Sequence, residues 1–384
     1  MKTYKVMSVF GTRPEAIKMA PLVRALGETP GLESVCCLTG QHRQMLDSVM
    51  AAFRLQADYD LNIMQARQTL SSITSRTLLG MEEVIEQAKP DLILVHGDTS
   101  TTFAGALAAY YHKIPVGHVE AGLRTWDKYS PFPEEMNRTL VGDIAALHFC
   151  PTENNLRNLE REGVAGEKFI TGNTVIDAMK TTVRPDFIFS RPELNGLDFR
   201  GRRVITLTCH RRENYGRPMR EILEAVRELV LQNEDVEVVY PVHLSPVVRE
   251  CAFDVLGNVP RVHLIDPVDV EDMHNLMARS YLIMTDSGGL QEEAPALGKP
   301  VLVLRRVTER PEAVRAGTVC LAGVKRESIL RLADALLHDK ARYQTMARAV
   351  NPYGDGNACQ RICQAISWYF GLRAERPAPF RAEP

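Results

Sequence analysis

No apolar run in this sequence approaches the roughly 18 residues that a membrane-crossing helix requires, and residues 1–10 are too polar for a secretory signal. The eight cysteines form no CxxC pair. Cys36 and Cys37 are adjacent, Cys359 and Cys363 lie one helical turn apart, and Cys150, Cys209, Cys251 and Cys320 are scattered. They read as reduced core thiols of a cytoplasmic protein. An excess of one charge is also missing. A formal net charge of −2 over 384 residues gives no electrostatic case for nucleic acid or an anionic membrane, so a bound anion must meet a local cluster of basic groups.

Several motifs are absent as well. There is no GxGxxG after a strand, no GxxxxGKS/T and no HExxH. His118-Val-Glu120 begins like a zinc-deaminase signature, but no Pro-Cys-x-x-Cys follows. Asp58-Tyr-Asp60 has the DxD form of metal-dependent sugar-nucleotide enzymes, yet it precedes Leu61-Asn-Ile-Met instead of following a strand, which favours a loop role. Nothing here calls for a metal or a nicotinamide, so no cofactor is expected.

What is present is alternation. Short apolar runs at 6–10, 34–38, 92–95, 116–119 and 147–150, and again at 204–208, 236–240, 262–265, 282–285 and 301–304, are separated by amphipathic stretches such as 14–26 and 219–231. The pattern predicts α/β architecture: two Rossmann-like domains with parallel sheets covered on both faces. Residues 176–202, with Pro185, Pro192, Gly196 and Gly201, break the rhythm and read as a linker or hinge. The expected division is an N-terminal domain over 1–175, a second domain over 176–356, a helix over 357–372 returning to the first, and a frayed tail over 373–384. In two such domains facing across a cleft, ligands belong at the carboxyl ends of the strands.

The residues after each strand should then carry the chemistry. Ser287, Gly288 and Gly289 follow the run 281–284 and precede a helical stretch. Glycines there let backbone approach a phosphate, and Glu292 or Glu293 one turn on could accept hydrogen bonds from a ribose diol. Pro295 is awkward inside that helix. Arg13 and Lys18, around a helix start marked by Pro14, could reach one anion. Other strand ends lead to His96-Gly-Asp98, Glu120 to Arg124, His210-Arg-Arg-Glu213 and Pro241-Val-His243, while Glu134 and Arg138 share a helix face at i and i+4.

Phe10-Gly-Thr-Arg-Pro-Glu-Ala-Ile-Lys-Met-Ala-Pro21, His96-Gly-Asp98, Gly117-His-Val-Glu-Ala-Gly-Leu-Arg-Thr125, Pro133-Glu-Glu-Met-Asn-Arg138, Thr171-Gly-Asn-Thr-Val-Ile-Asp177, His210-Arg-Arg-Glu-Asn214, the 285–300 segment and Thr308-Glu-Arg-Pro-Glu312 together closely resemble the non-hydrolysing UDP-N-acetylglucosamine 2-epimerases. The match runs in order from about residue 4 to 370. The resemblance implies a GT-B-like fold, a homodimer, and reversible conversion of UDP-N-acetylglucosamine to UDP-N-acetylmannosamine. UDP would be eliminated to a 2-acetamidoglucal and then added back.

By the same resemblance, Arg13, Ser287, Gly288, Gly289, Glu293 and Arg310 would bind UDP. Lys18, Asp98, Glu120, Glu134, Arg138 and His210 would surround the reacting sugar. An activating second UDP-N-acetylglucosamine would meet Gln41, His42, Gln44, Arg67, Arg212 and His243. Two departures stand out: Met273 replaces an aromatic found in some members near uracil, and the loop Arg305-Arg-Val-Thr308 is unusually basic.

A carbon-bound hydrogen beside an acetamido group is barely acidic, so a positioned base is needed, and two-faced proton transfer favours several acids. The rival readings are a GT-B glycosyltransferase, which needs an acceptor, and a hydrolysing epimerase releasing N-acetylmannosamine and UDP. A third, an inactive sugar-nucleotide sensor, would have lost some of the acids.

Overall fold

A computed structural model describes residues 2–40, 43–65 and 68–382, with 43–45 as backbone only. The chain forms two compact units, 1–181 with 353–381 and 182–352 with 382–384. In the first, β1 (Tyr4–Phe10), β2 (Leu32–Leu38), β3 (Tyr59–Asp60), β4 (Leu92–His96), β5 (Val116–Val119), β6 (Leu147–Cys150) and β7 (Glu167–Ile170) form one sheet, ordered β3-β2-β1-β4-β5-β6-β7. In the second, β8 (Arg203–Thr208), β9 (Val236–Pro241), β10 (Val262–Ile265), β11 (Leu282–Thr285), β12 (Val301–Val303) and β13 (Val319–Leu321) run β10-β9-β8-β11-β12-β13. All ladders are parallel. Uninterrupted burial along β4 and β9, apolar except for His96 and Glu237, reflects helices on both faces. Each order reverses once, between β1 and β4 and between β8 and β11, which creates a crevice beyond the strand ends.

Local sequence sets the helix starts. Thr12 and Glu15 form a reciprocal capping box at Arg13–Gly27, as do Thr69 with Ser72 at Leu70–Ala88 and Thr152 with Asn155 at Glu153–Arg161. The sequence pattern missed the edge strands β3, β7 and β13, of two to four residues each; charged residues in β3 and β7 interrupt the apolar run that marked the other strands. Asp58 and Asp60 are part of that edge. Tyr59 and Asp60 pair with Cys37 and Leu38, and the Asp58 carboxylate accepts from Cys36 N at 2.7 Å. Among the described residues no cluster of His, Cys, Asp and Glu could hold a metal. None of their helices is long and apolar enough to cross a membrane.

Two expectations change. The described part of the tail is tied down: Phe380 is buried, its N–H donates to Ile170 O at 2.8 Å, and Arg376 pairs with Glu167 at 2.7 Å. The edge of β7 supplies the free carbonyls that a tail can bond. Pro295 causes little disruption, because Leu290–Ala296 is only seven residues long and the proline falls in its last turn.

The first unit also buries neutral histidines. His118 and His148 stand side by side on β5 and β6, their Nε2 atoms on Gly97 O (2.7 Å) and Ala165 O (2.9 Å). Burial pushes His118 down to about 3, and His148 and His96 to about 4. The unfolded chain takes up these protons near 6.5 and the folded one does not. Their contribution to stability is therefore complete above about pH 6.5 and is lost as pH falls toward the folded values, at roughly 1.4 kcal/mol per pH unit for each histidine. Urea midpoints measured from pH 7.5 to 4.5 should fall steeply below 6.5. His148→Gln should flatten that fall, and an equally steep profile would contradict the assignment.

Candidate functional site

At the switch point of the first unit one buried carboxylate ties both loops together. Glu15 Oε2 accepts from Gly11 N (2.9 Å) and Thr12 N (2.7 Å), while Oε1 accepts from the hydroxyls of Thr99 (2.6 Å) and Thr102 (3.1 Å). This clamp fixes the helix start that carries half-buried Arg13 and the loop that carries Asp98. Burial, outweighing the nearby Arg138, pushes the Asp98 carboxyl up to about 6; Glu120 and Glu134 add to the rise and Lys18 opposes it. Arg138 reaches Asp98 Oδ2 at 3.2 Å, and Asn137 Nδ2 donates to Asp98 O at 2.9 Å. A carboxyl poised near neutrality can both accept and return a proton.

Glu120 sits at φ 63°, left-handed backbone that costs a non-glycine residue about 1–2 kcal/mol. A polar net holds it there. Lys18 Nζ and Asn173 Nδ2 (2.9 Å) both donate to Oε1, and the buried His96 presents Nε2 at 3.5 Å from Oε2. Lys18, expected to reach an anion with Arg13, is thus engaged by a carboxylate. The second difference concerns Arg138. Its guanidinium bonds the buried Glu135 (Nε–Oε2 2.7 Å), one residue along from the expected Glu134. Glu135 is turned inward by Thr125 N and Trp126 N, both donating at 3.0 Å to Oε1. Glu134 heads the helix Glu134–Ile144, half-buried and close enough to raise Asp98.

The second unit repeats the device. Fully buried Asp286, just past β11, accepts from His210 N and Arg211 N (both 2.8 Å) and from Asn214 Nδ2 (3.1 Å), clamping the loop after β8. His210 Nδ1 lies 3.6 Å from Asp286 Oδ1, and its ring stacks on His243 with centroids 5.5 Å apart. Burial lowers the His210 pKa, against the pull of Asp286. Arg212 opens the short turn Arg212–Asn214.

The Gly-Gly turn is flanked by guanidinium groups. Arg211 Nη2 and Arg310 Nη2 come within 3.6 and 3.9 Å of where a Cβ at Gly288 would stand. Ser287 N donates to Thr285 Oγ1 (2.9 Å), and Gln291 Nε2 donates back to Ser287 O (3.0 Å), which fixes the turn. Glu292 is buried against Arg310, leaving Glu293 as the carboxylate beside the turn. Its Oε1 lies 3.1 Å from a Cβ placed at Gly289, so the missing side chain makes room for it. Met273 is partly buried and packs against the apolar cluster that includes Phe189, Val239 and Leu276. In the basic loop Arg305 is buried and held by Glu213 at 2.7 Å, while Arg306 is exposed. Gln41, His42, Arg67 and the Gln44 side chain lie outside the described residues.

Sequence reasoning passed over Glu15, Glu135, Asn173, Arg211 and Asp286. Only Glu15 had a local signal, the Thr-x-x-Glu spacing of a capping box. Asn173, Arg211 and Asp286 act through partners remote in sequence, whereas Glu135 bonds Arg138 three residues along the same helix.

Parallel doubly wound sheets, with acid–base groups at one switch point and an arginine-flanked glycine turn at the other, define a two-domain Rossmann-like protein of the GT-B-like class. Residues 24–367 match the family model described as UDP-N-acetylglucosamine 2-epimerase. A Bacillus subtilis UDP-N-acetylglucosamine 2-epimerase is 56% identical, with 99% of each chain covered. Among solved structures, a Staphylococcus aureus MnaA–UDP co-structure has 49% identity and a TM-score of 0.88, covering 99% of this chain and 100% of the other. A Neisseria meningitidis UDP-GlcNAc 2-epimerase bound to UDP-GlcNAc has 46% identity and a TM-score of 0.85, covering 94% and 99%. The chain belongs to the UDP-N-acetylglucosamine 2-epimerase family.

Proposed function

We propose that the protein interconverts UDP-N-acetylglucosamine and UDP-N-acetylmannosamine at C2, as a homodimer and without net hydrolysis. The observation that carries the reading is the Asp98 carboxyl, raised to about 6 beside the Lys18–Glu120 and Glu135–Arg138 pairs. A carboxylate removes the C2 proton, and the electron pair forms the C1–C2 double bond. In the same step the C1–oxygen bond breaks with its electrons on UDP, leaving 2-acetamidoglucal. UDP adds back to C1 as a second acid returns a proton to the opposite face of C2. Asp98, Glu120 and Glu134 are the candidate acids and bases, and His210, whose pKa burial lowers, is a candidate hydrogen-bond donor to the leaving diphosphate.

Arg13, Arg310 and the 287–289 turn carry the diphosphate in this reading, Glu293 the ribose, and Met273 lies on the uracil side. Structures of relatives titled with UDP and with UDP-GlcNAc support this choice of ligand. His243, stacked on His210, and Arg212 give a second UDP-N-acetylglucosamine a route to the catalytic loop, with Gln41, His42, Gln44 and Arg67 as its other ligands.

One experiment in deuterated water tests the reaction. UDP-N-acetylglucosamine should gain deuterium at C2 in both epimers with no net UDP at equilibrium, and with initial rates sigmoidal in substrate. Stoichiometric UDP and free sugar would instead mark a hydrolysing enzyme. Full activity without exchange would refute proton abstraction, and a hyperbolic curve would remove the second site.

A further inference from the structure

Behind Glu293 lies a buried imidazole with no part in the chemistry above. His274, on the helix Val270–Arg279, is buried, with Nδ1 2.7 Å from Thr182 Oγ1 and Nε2 3.4 Å from Glu293 Oε2. We propose that His274 is a positioning residue for ribose recognition, holding the Glu293 carboxylate in the plane that receives the two hydroxyls. The proposal rests on the reading of Glu293 as the ribose ligand.

The ring itself is immobile for stated reasons. Asp269 caps the helix through Asp272 N (2.8 Å), and Asp272 in turn accepts from Ser190 N (2.9 Å) and the Ser190 hydroxyl. Next to His274, Asn275 donates to Thr182 O (2.7 Å) and accepts from Arg184 N (2.9 Å). The stretch 182–190 and the first turns of the helix are therefore bonded at several points, and the imidazole is gripped between them.

A carboxylate 3.4 Å away favours forms with a proton on Nε2. These are the neutral tautomer, with the Thr182 hydroxyl donating to Nδ1, or the imidazolium, with Nδ1 donating to the hydroxyl. Either form points an N–H toward Oε2 from 3.4 Å, an ion-pair distance that biases the last torsion of the side chain, which is otherwise soft. Oε1 is directed back over Gly289. The other lone pairs on the two oxygens are those that the proposal assigns to the two hydroxyls of a vicinal diol. Without the imidazole, Glu293 would still be charged but free to rotate, and a diol would have to pay for ordering it.

The experiment measures affinities for UDP and 2′-deoxy-UDP by calorimetry. Wild-type protein should prefer UDP at least about tenfold, the discrimination expected of a charged hydrogen bond to the hydroxyl. His274→Asn keeps a group opposite Thr182 but cannot reach Glu293. It should reduce the preference to about threefold or less, with 2′-deoxy-UDP affinity changed less than twofold, which also reports that the variant is folded. His274→Gln, whose amide can reach Glu293, should keep the preference within about twofold of wild type. Glu293→Gln should abolish most of it. If Glu293→Gln loses the preference while His274→Asn keeps it, the positioning role is overturned and the ribose reading stands. If Glu293→Gln keeps it, the ribose reading falls, and the proposal with it.

Discussion

Asp98→Asn is expected to lower turnover at least about 10³-fold while leaving UDP affinity within about threefold. The substitution preserves size and the Asn137 bond to the Asp98 backbone carbonyl, but it removes a proton acceptor that burial has tuned to about 6. Stability should hold for a physical reason. A carboxyl whose folded pKa lies above its unfolded value weakens the fold as pH rises from about 4 through 6, so an amide relieves that burden at neutral pH. Arg138 keeps Glu135 as its partner. The wild-type rate should fall as pH drops below about 6, where Asp98 becomes protonated and can no longer accept. Wild-type turnover in the variant would exclude Asp98 from the reaction. A lost melting transition would make it structural.

Gly122→Ala should be the most damaging of the glycine substitutions near the site. Gly122 has φ 89°, and an added Cβ would lie 2.2 Å from Asn155 O and 2.7 Å from its carbonyl carbon. The obstruction is backbone at the start of a capped helix, so no rotamer change relieves it. Asn158 Nδ2 already ties Gly122 O to that helix at 2.9 Å. Strain from the backbone angle and the overlap together should cost about 3 kcal/mol or more. They should also displace Glu120, two residues away and itself in a left-handed conformation. Gly163→Ala is the control: φ is 68°, but nothing lies within 4 Å, so only the backbone term of about 1–2 kcal/mol remains. Urea unfolding of both variants decides the point, and equal losses would mean that the contact with Asn155 relaxes freely.

Much of this protein was legible in its sequence. Continuous apolar runs alternating with helical periods specify parallel sheets, because strands buried on both faces have no polar side to show. The polar and glycine residues after those runs are the ones found at strand ends, since a parallel sheet puts every such loop on one side. The edge strands β3 and β7 escaped notice because their charged residues interrupt an apolar run, and the contacts of Arg376 and Phe380 were missed because their partner is an open sheet edge.

The amino-acid order alone determined the α/β class, the positions of the long strands, the helix starts with Thr-x-x-Glu or proline, and the list of acids and arginines available for chemistry. Tertiary structure decided which of these groups meet. It replaced Glu134 with Glu135 as the partner of Arg138, engaged Lys18 with Glu120, placed Arg211 beside Gly288, and set Glu15 and Asp286 as clamps under the two switch points. The two clamps follow from strand order, which brings β1 beside β4 and β8 beside β11 although each pair is far apart along the chain. Burial then tuned Asp98 and the histidines, because desolvation depends on what packs around a group and leaves no trace in its neighbours along the chain.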